Sequence, residues 1–65
     1  MVKNRLLEIR LNLGYKKQQD FAEFLGINRN TYSLIENNKK SVNLDNAFLI
    51  AGKLKMKIED IWYKE

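Results

Sequence analysis

From Leu6 to Trp62 the apolar residues recur every three or four positions and never settle into the alternation of a half-buried strand. Such spacing confines the chain to helices that each bury one apolar stripe against a neighbour. Gly14, Gly26, the Asn37-Asn38 pair and the polar stretch 41–43 interrupt the pattern, and there is no proline. These breaks divide the chain into five predicted helices. The first, about 3–13, places Leu6, Ile9 and Leu13 on one face before Gly14, a residue suited to the left-handed angle past a helix end. The second, about 18–25, turns Phe21, Ala22 and Leu25 inward and stops at Gly26. The third follows the N-cap residue Asn28 and runs to about 37, with Tyr32 and Ile35 inward. The fourth, about 43–54, starts at the N-cap Asn43 and carries a stripe of Leu44, Ala47, Phe48, Ile50, Ala51 and Leu54. Within it Gly52 either costs about 1 kcal/mol relative to alanine or marks close packing. A short fifth helix, about 58–62, closes the chain with Ile58, Ile61 and Trp62. The expected fold is all-α, a single domain over residues 1–65.

A chain of 65 residues lies near the lower limit for folding alone, because it buries only about 60% of its unfolded surface. A partner subunit would add to that. With neither cysteine nor histidine, the chain offers no disulfide, no thiolate site and no imidazole ligand. A metal could find only carboxylates, and no Asp-x-Asp-x-Asp-Gly loop is present to arrange them. No apolar run approaches the roughly 20 residues that cross a bilayer, and Met1-Val2-Lys3-Asn4 does not open a signal peptide. A soluble, cytoplasmic chain without metal, cofactor or membrane association is expected. Enzymatic activity is not expected either, since catalytic His and Cys and a Gly-rich phosphate loop are all missing. Net charge is +4, and residues 1–42 carry all of it, with eight Lys/Arg against four Asp/Glu. A basic excess of this kind fits a nucleic-acid partner but is also common as a solvating surface.

The functional signal lies in the second and third predicted helices taken together. Phe21-Ala22 in one helix, the tight Gly26-Ile27 turn, and a capped second helix with Tyr32 and Ile35 inward form a rigid helical pair. Small Ala22 permits a close approach, and Gly26 supplies a backbone angle that side chains resist. The stretch Gln18-Gln19-Asp20-Phe21-Ala22-Glu23-Phe24-Leu25-Gly26-Ile27-Asn28-Arg29-Asn30-Thr31-Tyr32-Ser33-Leu34-Ile35-Glu36-Asn37 resembles the Cro/C1-type helix-turn-helix, or XRE, family. That family's pattern is roughly Gln-x-x-Leu-Ala-x-x-Leu-Gly-Val-Ser-x-x-x-Ile-Ser-x-x-Glu-x-Gly. Arg10, Leu44, Ala47 and the closing 58–62 also have family equivalents, so the likeness covers about residues 4–62. The sequence departs from the pattern in three ways. The loop from Gly14 to Gln18 is one residue longer, Asn38 replaces a glycine, and Phe24 and Leu49 stand where polar residues are usual.

The resemblance implies a five-helix, lambda-repressor-like DNA-binding domain with the helix-turn-helix at helices 2 and 3. It further implies a homodimeric bacterial or phage-type transcriptional regulator, more often a repressor, acting on a double-stranded DNA operator with no small-molecule ligand evident. Base edges in the major groove would be met by Arg29, Asn30, Thr31 and Ser33, since Arg and Asn can bond guanine and adenine with two prongs. Asn28 would cap the recognition helix. Leu34 either folds against the domain's edge or packs on a thymine methyl. Gln18 at a helix start, with Lys16, Lys17, Lys39 and Lys40 in the flanking loops, would contact phosphates. Without DNA, these same residues read as solvated surface. Arg10 and Glu36 would form a structural ion pair, with phosphate binding the alternative for Arg10. Ile58, Ile61, Trp62 and Tyr63, with Leu49, would form the dimer interface, unless Trp62 only closes the core. The rival from another class is a protein-interaction module, such as an antitoxin-like partner.

Overall fold

The computed structural model describes residues 2–65. Its elements run β1 (Val2–Asn4), α1 (Leu6–Asn12), α2 (Gln18–Leu25), α3 (Arg29–Glu36), α4 (Leu44–Leu54), α5 (Ile58–Ile61) and β2 (Trp62–Lys64). The five helices follow the apolar spacing, but the all-α expectation is corrected at both ends. Val2 pairs with Lys64, Lys3 with Tyr63 and Asn4 with Trp62 in a two-stranded antiparallel sheet. Each strand has three residues, too few for an alternation to register in the sequence. The first helix accordingly starts at Leu6, not near residue 3. Asn4 Oδ1 accepts from the Leu6 N–H at 3.0 Å, a local bond that ends the strand and opens the helix. The last helix stops at Ile61, because Trp62 is extended with φ −105° and ψ 142°. Lys3 Nζ meets Glu65 Oε1 at 2.8 Å across the sheet, and this bond with the Glu65 charge holds the Lys3 pKa above its usual value. The pair lies in solvent and adds little to the fold.

The core is formed by Leu6, Phe21, Ala22, Leu25, Tyr32, Ile35, Ile50, Ala51 and Ile61, drawn from all five helices. Leu13 does not join it and stays exposed just past α1. On α4 the inward stripe is narrower than the sequence implied. Ala47, Ile50 and Ala51 are buried, whereas Leu44 and Phe48 form a second apolar ridge one turn apart, 67% and 62% exposed. A helix about 100° wide on its buried side cannot turn all six stripe residues inward.

Gly52 shows which of its two readings holds. A Cβ built there meets no atom within 4 Å, and its φ is not in the left-handed region, so no neighbour requires a glycine. Gly52→Ala is therefore expected to stabilise the protein by about 0.5–1 kcal/mol, through the entropy the unfolded chain no longer gains. In a domain of this size that corresponds to a melting temperature roughly 2–8 °C higher. A melt recorded by circular dichroism that shows no rise would contradict the open packing around α4.

Candidate nucleic-acid interface

The pair α2–α3 is fixed by local chemistry at its turn. Gly26 ends α2 with φ 76° and ψ 30°, and the Ile27 N–H returns to the Ala22 carbonyl at 2.9 Å. Asn28 then caps α3, its Oδ1 accepting from the N–H groups of Asn30 at 2.9 Å and Thr31 at 3.3 Å. Ala22 is buried between the helices, and the Phe21 ring meets the Tyr32 ring edge-on, with centroids 5.5 Å apart. The turn thus presents α3 with one side on the core and the other toward solvent.

Behind α3 sits a buried polar cluster centred on Glu36. Arg10 Nε donates to Glu36 Oε1 at 2.9 Å, the Tyr32 hydroxyl to the same oxygen at 2.6 Å, and Gln18 Nε2 to Oε2 at 2.6 Å. Arg10 Nη1 also donates to the carbonyls of Tyr15 at 3.0 Å and Lys16 at 2.8 Å. α1, the loop before α2, the start of α2 and the end of α3 are thereby joined through one carboxylate. Burial alone would raise the Glu36 pKa, but hydrogen bonds from Tyr32, Arg10 and Gln18, with the Arg10 charge, outweigh it and hold the carboxyl below its ordinary range. Tyr32 is pushed well above its ordinary value, by burial first and then by its bond to Glu36, so the phenol remains a donor. Every fully buried side-chain nitrogen and oxygen among the described residues has a partner.

The cluster determines what its members can offer a ligand. Arg10 has a side chain only 8% exposed, with Nε committed to Glu36 and Nη1 to two backbone carbonyls. Gln18 gives one amide hydrogen to Glu36 and keeps its second N–H, a donor, and its carbonyl oxygen, an acceptor.

On the outer side, Arg29 and Asn30 are exposed, while Thr31 and Ser33 are half-buried. Leu34 is 43% exposed, on the surface of α3 and not folded into the core. Arg29, Asn30 and Ser33 line one open depression of about 380 Å³ with Lys17, Gln18 and Gln19. The first turn of α2 and the outward face of α3 therefore share a polar surface in which both charged groups are cationic. Lys16 is exposed beside this region, whereas Lys39 and Lys40 lie beyond the far end of α3 on a separate groove. The expected base-contacting and phosphate-contacting residues thus fall into two basic zones, one at each end of the same helix.

Sequence reasoning overlooked three contributors. Gln19 lines the depression, and only its place beside Gln18 hinted at that. Tyr15 meets Phe21 at a tilt and stacks on Phe24, with centroids 5.2 and 5.6 Å away, and so shields one face of Phe24 although that residue remains 40% exposed. Asn4 reaches the end of α3 from β1, a long-range contact with no signature in local spacing.

Among the expected dimer residues, Ile61 is corrected. It is 0% exposed in the protomer's own core and has no surface to give a second copy. Ile58, Trp62 and Tyr63 remain half-buried, and Leu49 is exposed. Ile58 and Trp62 line a groove of about 550 Å³ whose other apolar walls are Val2, Val42, Leu44 and Ala47. Arg5 stacks over the Tyr63 ring at 4.3 Å, which leaves one face of that ring covered.

Two short helices thus meet at a left-handed glycine, with cationic groups near both ends of the second. A helix-turn-helix family model matches residues 6–61, and the chain belongs to the Cro/C1-type helix-turn-helix, or XRE, family. No curated protein matches it. No described helix is long and apolar enough to cross a membrane.

Proposed function

We infer that this protein binds duplex DNA sequence-specifically as a homodimer and regulates transcription, as a repressor, by occupying an operator. The helix-turn-helix unit is α2–α3, and α3 enters the major groove. The observation that carries this reading is the pairing of a buried, fully bonded inner side on α3 with an outer side where Arg29 and Asn30 stand free. Rigid placement from behind lets such groups discriminate among bases, because positioning error is small. Thr31, Ser33 and Leu34 border them, Leu34 with its side chain available to a thymine methyl. Lys16 and Lys17 on one side, and Lys39 and Lys40 on the other, then meet phosphates, and Gln18, tethered to Glu36, meets one from the start of α2.

One protomer's short helix reads few base pairs, so a dimer is the simplest route to a selective site. Its surface is formed by Ile58, Trp62 and Tyr63, with Leu49 contributing. The two copies of α3 would lie about 34–36 Å apart, on half-sites one turn of DNA from each other.

Selection from a random duplex pool, followed by a salt titration of the winning site, tests this directly. The expected winners are two-fold symmetric. The four loop lysines of each protomer, eight per dimer, give a log affinity that falls with log salt at a slope as steep as about −7. A salt-insensitive affinity, or winners without symmetry, would overturn the phosphate and dimer assignments respectively.

A further inference from the structure

The far end of α3 is held by a side chain from β1, 31 residues earlier in the chain. Asn4 Nδ2 donates to the Ile35 carbonyl at 2.7 Å and to Asn38 Oδ1 at 3.1 Å. Its own Oδ1 accepts from the Leu6 N–H at 3.0 Å. One amide therefore ends β1, opens α1 and grips the last turn of α3. Asn4 cannot drift from this place, since it pairs with Trp62 across the sheet and the next residue, Arg5, donates its N–H to the Ile61 carbonyl at 2.8 Å.

Asn38 is the other half of the contact. Its φ is 61°, an angle that the backbone alone would give more readily to glycine. Asparagine tolerates the angle and adds what glycine lacks, a side-chain oxygen for Asn4. Directly after it, Lys39 and Lys40 both turn their N–H groups onto the Leu34 carbonyl, at 2.8 and 3.2 Å. Asn4, Asn38, Lys39 and Lys40 line one continuous groove wall. The loop that carries two of the basic groups is thus fixed at its root by side chains, while its lysine heads stay exposed.

We propose that Asn4 and Asn38 form a latch that sets the Lys39–Lys40 loop for phosphate contact, which makes Asn4 a positioning residue for DNA binding. This rests on the DNA reading above. Long side chains lose rotamer freedom on contact, so a backbone already fixed leaves less to be ordered when DNA arrives. Such a latch acts on affinity and leaves base choice alone, because phosphate contacts carry no sequence information.

Two variants of the whole chain separate the latch from simple structural support. Asn38→Gly keeps the left-handed angle but removes the oxygen. Asn4→Asp keeps an acceptor for the Leu6 N–H while turning a carboxylate toward two oxygens. Two readouts apply, namely hydrogen exchange at the Lys39 and Lys40 amides and the affinity, at fixed salt, for a random-sequence duplex of about 20 base pairs. Exchange should be roughly five- to tenfold faster in Asn38→Gly, which loses one hydrogen bond, and faster still in Asn4→Asp, which loses two. Affinity at fixed salt should fall roughly three- to tenfold in Asn38→Gly, which changes no charge. The order of preference among duplexes should not change. Unaltered exchange would overturn the latch, and faster exchange with an unaltered affinity would overturn its role in binding. If the unmodified protein binds no duplex at all, the DNA reading itself has failed, which its own titration shows before any variant is made.

Discussion

Glu36→Ala is expected to lower the melting temperature by at least about 12 °C and to leave much of the protein unfolded at 37 °C. A 65-residue chain has roughly 3–10 kcal/mol of stability in total. Removing one partner of a buried ion pair costs about 3–5 kcal/mol, since the other charge stays in a site built for two, and each kilocalorie shifts the midpoint of so small a domain by about 4 °C or more. Three donors lose their acceptor at once: Arg10 Nε, the Tyr32 hydroxyl and Gln18 Nε2. Tyr32→Phe should cost less, about 1.5–3 kcal/mol, because it deletes one hydrogen bond to the carboxylate and leaves the other two. The same cluster gives the protein an acid limit. The Glu36 pKa is lower in the folded state than in the unfolded one, so its contribution is fully present above the unfolded carboxylate value of about 4.3. It is lost as pH falls through the folded value. Thermal melts of wild type and Glu36→Ala between pH 7 and pH 3 check both statements, and midpoints within a few degrees of each other at pH 7 would refute the first. The variant's midpoint should also vary less with acid, because the group responsible is gone.

How much of this was legible in the sequence depended on the distance over which each feature acts. Local codes could be read. Gly26 and Asn28 mark the turn and cap between α2 and α3, and both lie where the spacing put them, as does the inward side of Phe21, Ala22, Leu25, Tyr32 and Ile35. Features made by residues far apart in the chain could not be read from spacing. The β1–β2 sheet joins residues about 60 positions apart through three-residue strands, and neither strand carries a pattern that marks it. Burial of Ile61 was hidden for the same reason. A four-residue helix shows no periodicity that tells an inward isoleucine from one offered to a partner. Leu44 and Phe48 show the converse error, since an apolar stripe wider than a helix's buried side has surplus members and the sequence does not say which. In the site, residue types pointed to Arg29 and Asn30. They did not reveal that the Gln18 amide is committed to Glu36, which only the fold brings within 2.6 Å.

Arg29→Ala together with Asn30→Ala is expected to abolish target selection while leaving the fold and the salt dependence due to the loop lysines in place. Both side chains are exposed, so the melting temperature should stay within a few degrees of wild type. The cap survives as well, because Asn28 bonds the backbone N–H of residue 30 and not its side chain. A good two-pronged base contact is worth about 1–3 kcal/mol, which makes roughly 4–12 kcal/mol for two residues on each of two protomers. Specific and non-specific binding to DNA differ by about 4–10 kcal/mol, so the loss is large enough to remove the difference entirely. Affinity for the selected operator should therefore fall to that for random duplex, and repeated selection should return no preferred sequence. Leu34 can be read in the same assay. Uracil in place of the operator's thymines should weaken the wild type at one or two positions and leave Leu34→Ala indifferent. If the double variant still ranks targets as the wild type does, α3 does not read bases through this face. The buried Glu36 cluster would then be stabilising a helix whose outer side has another use.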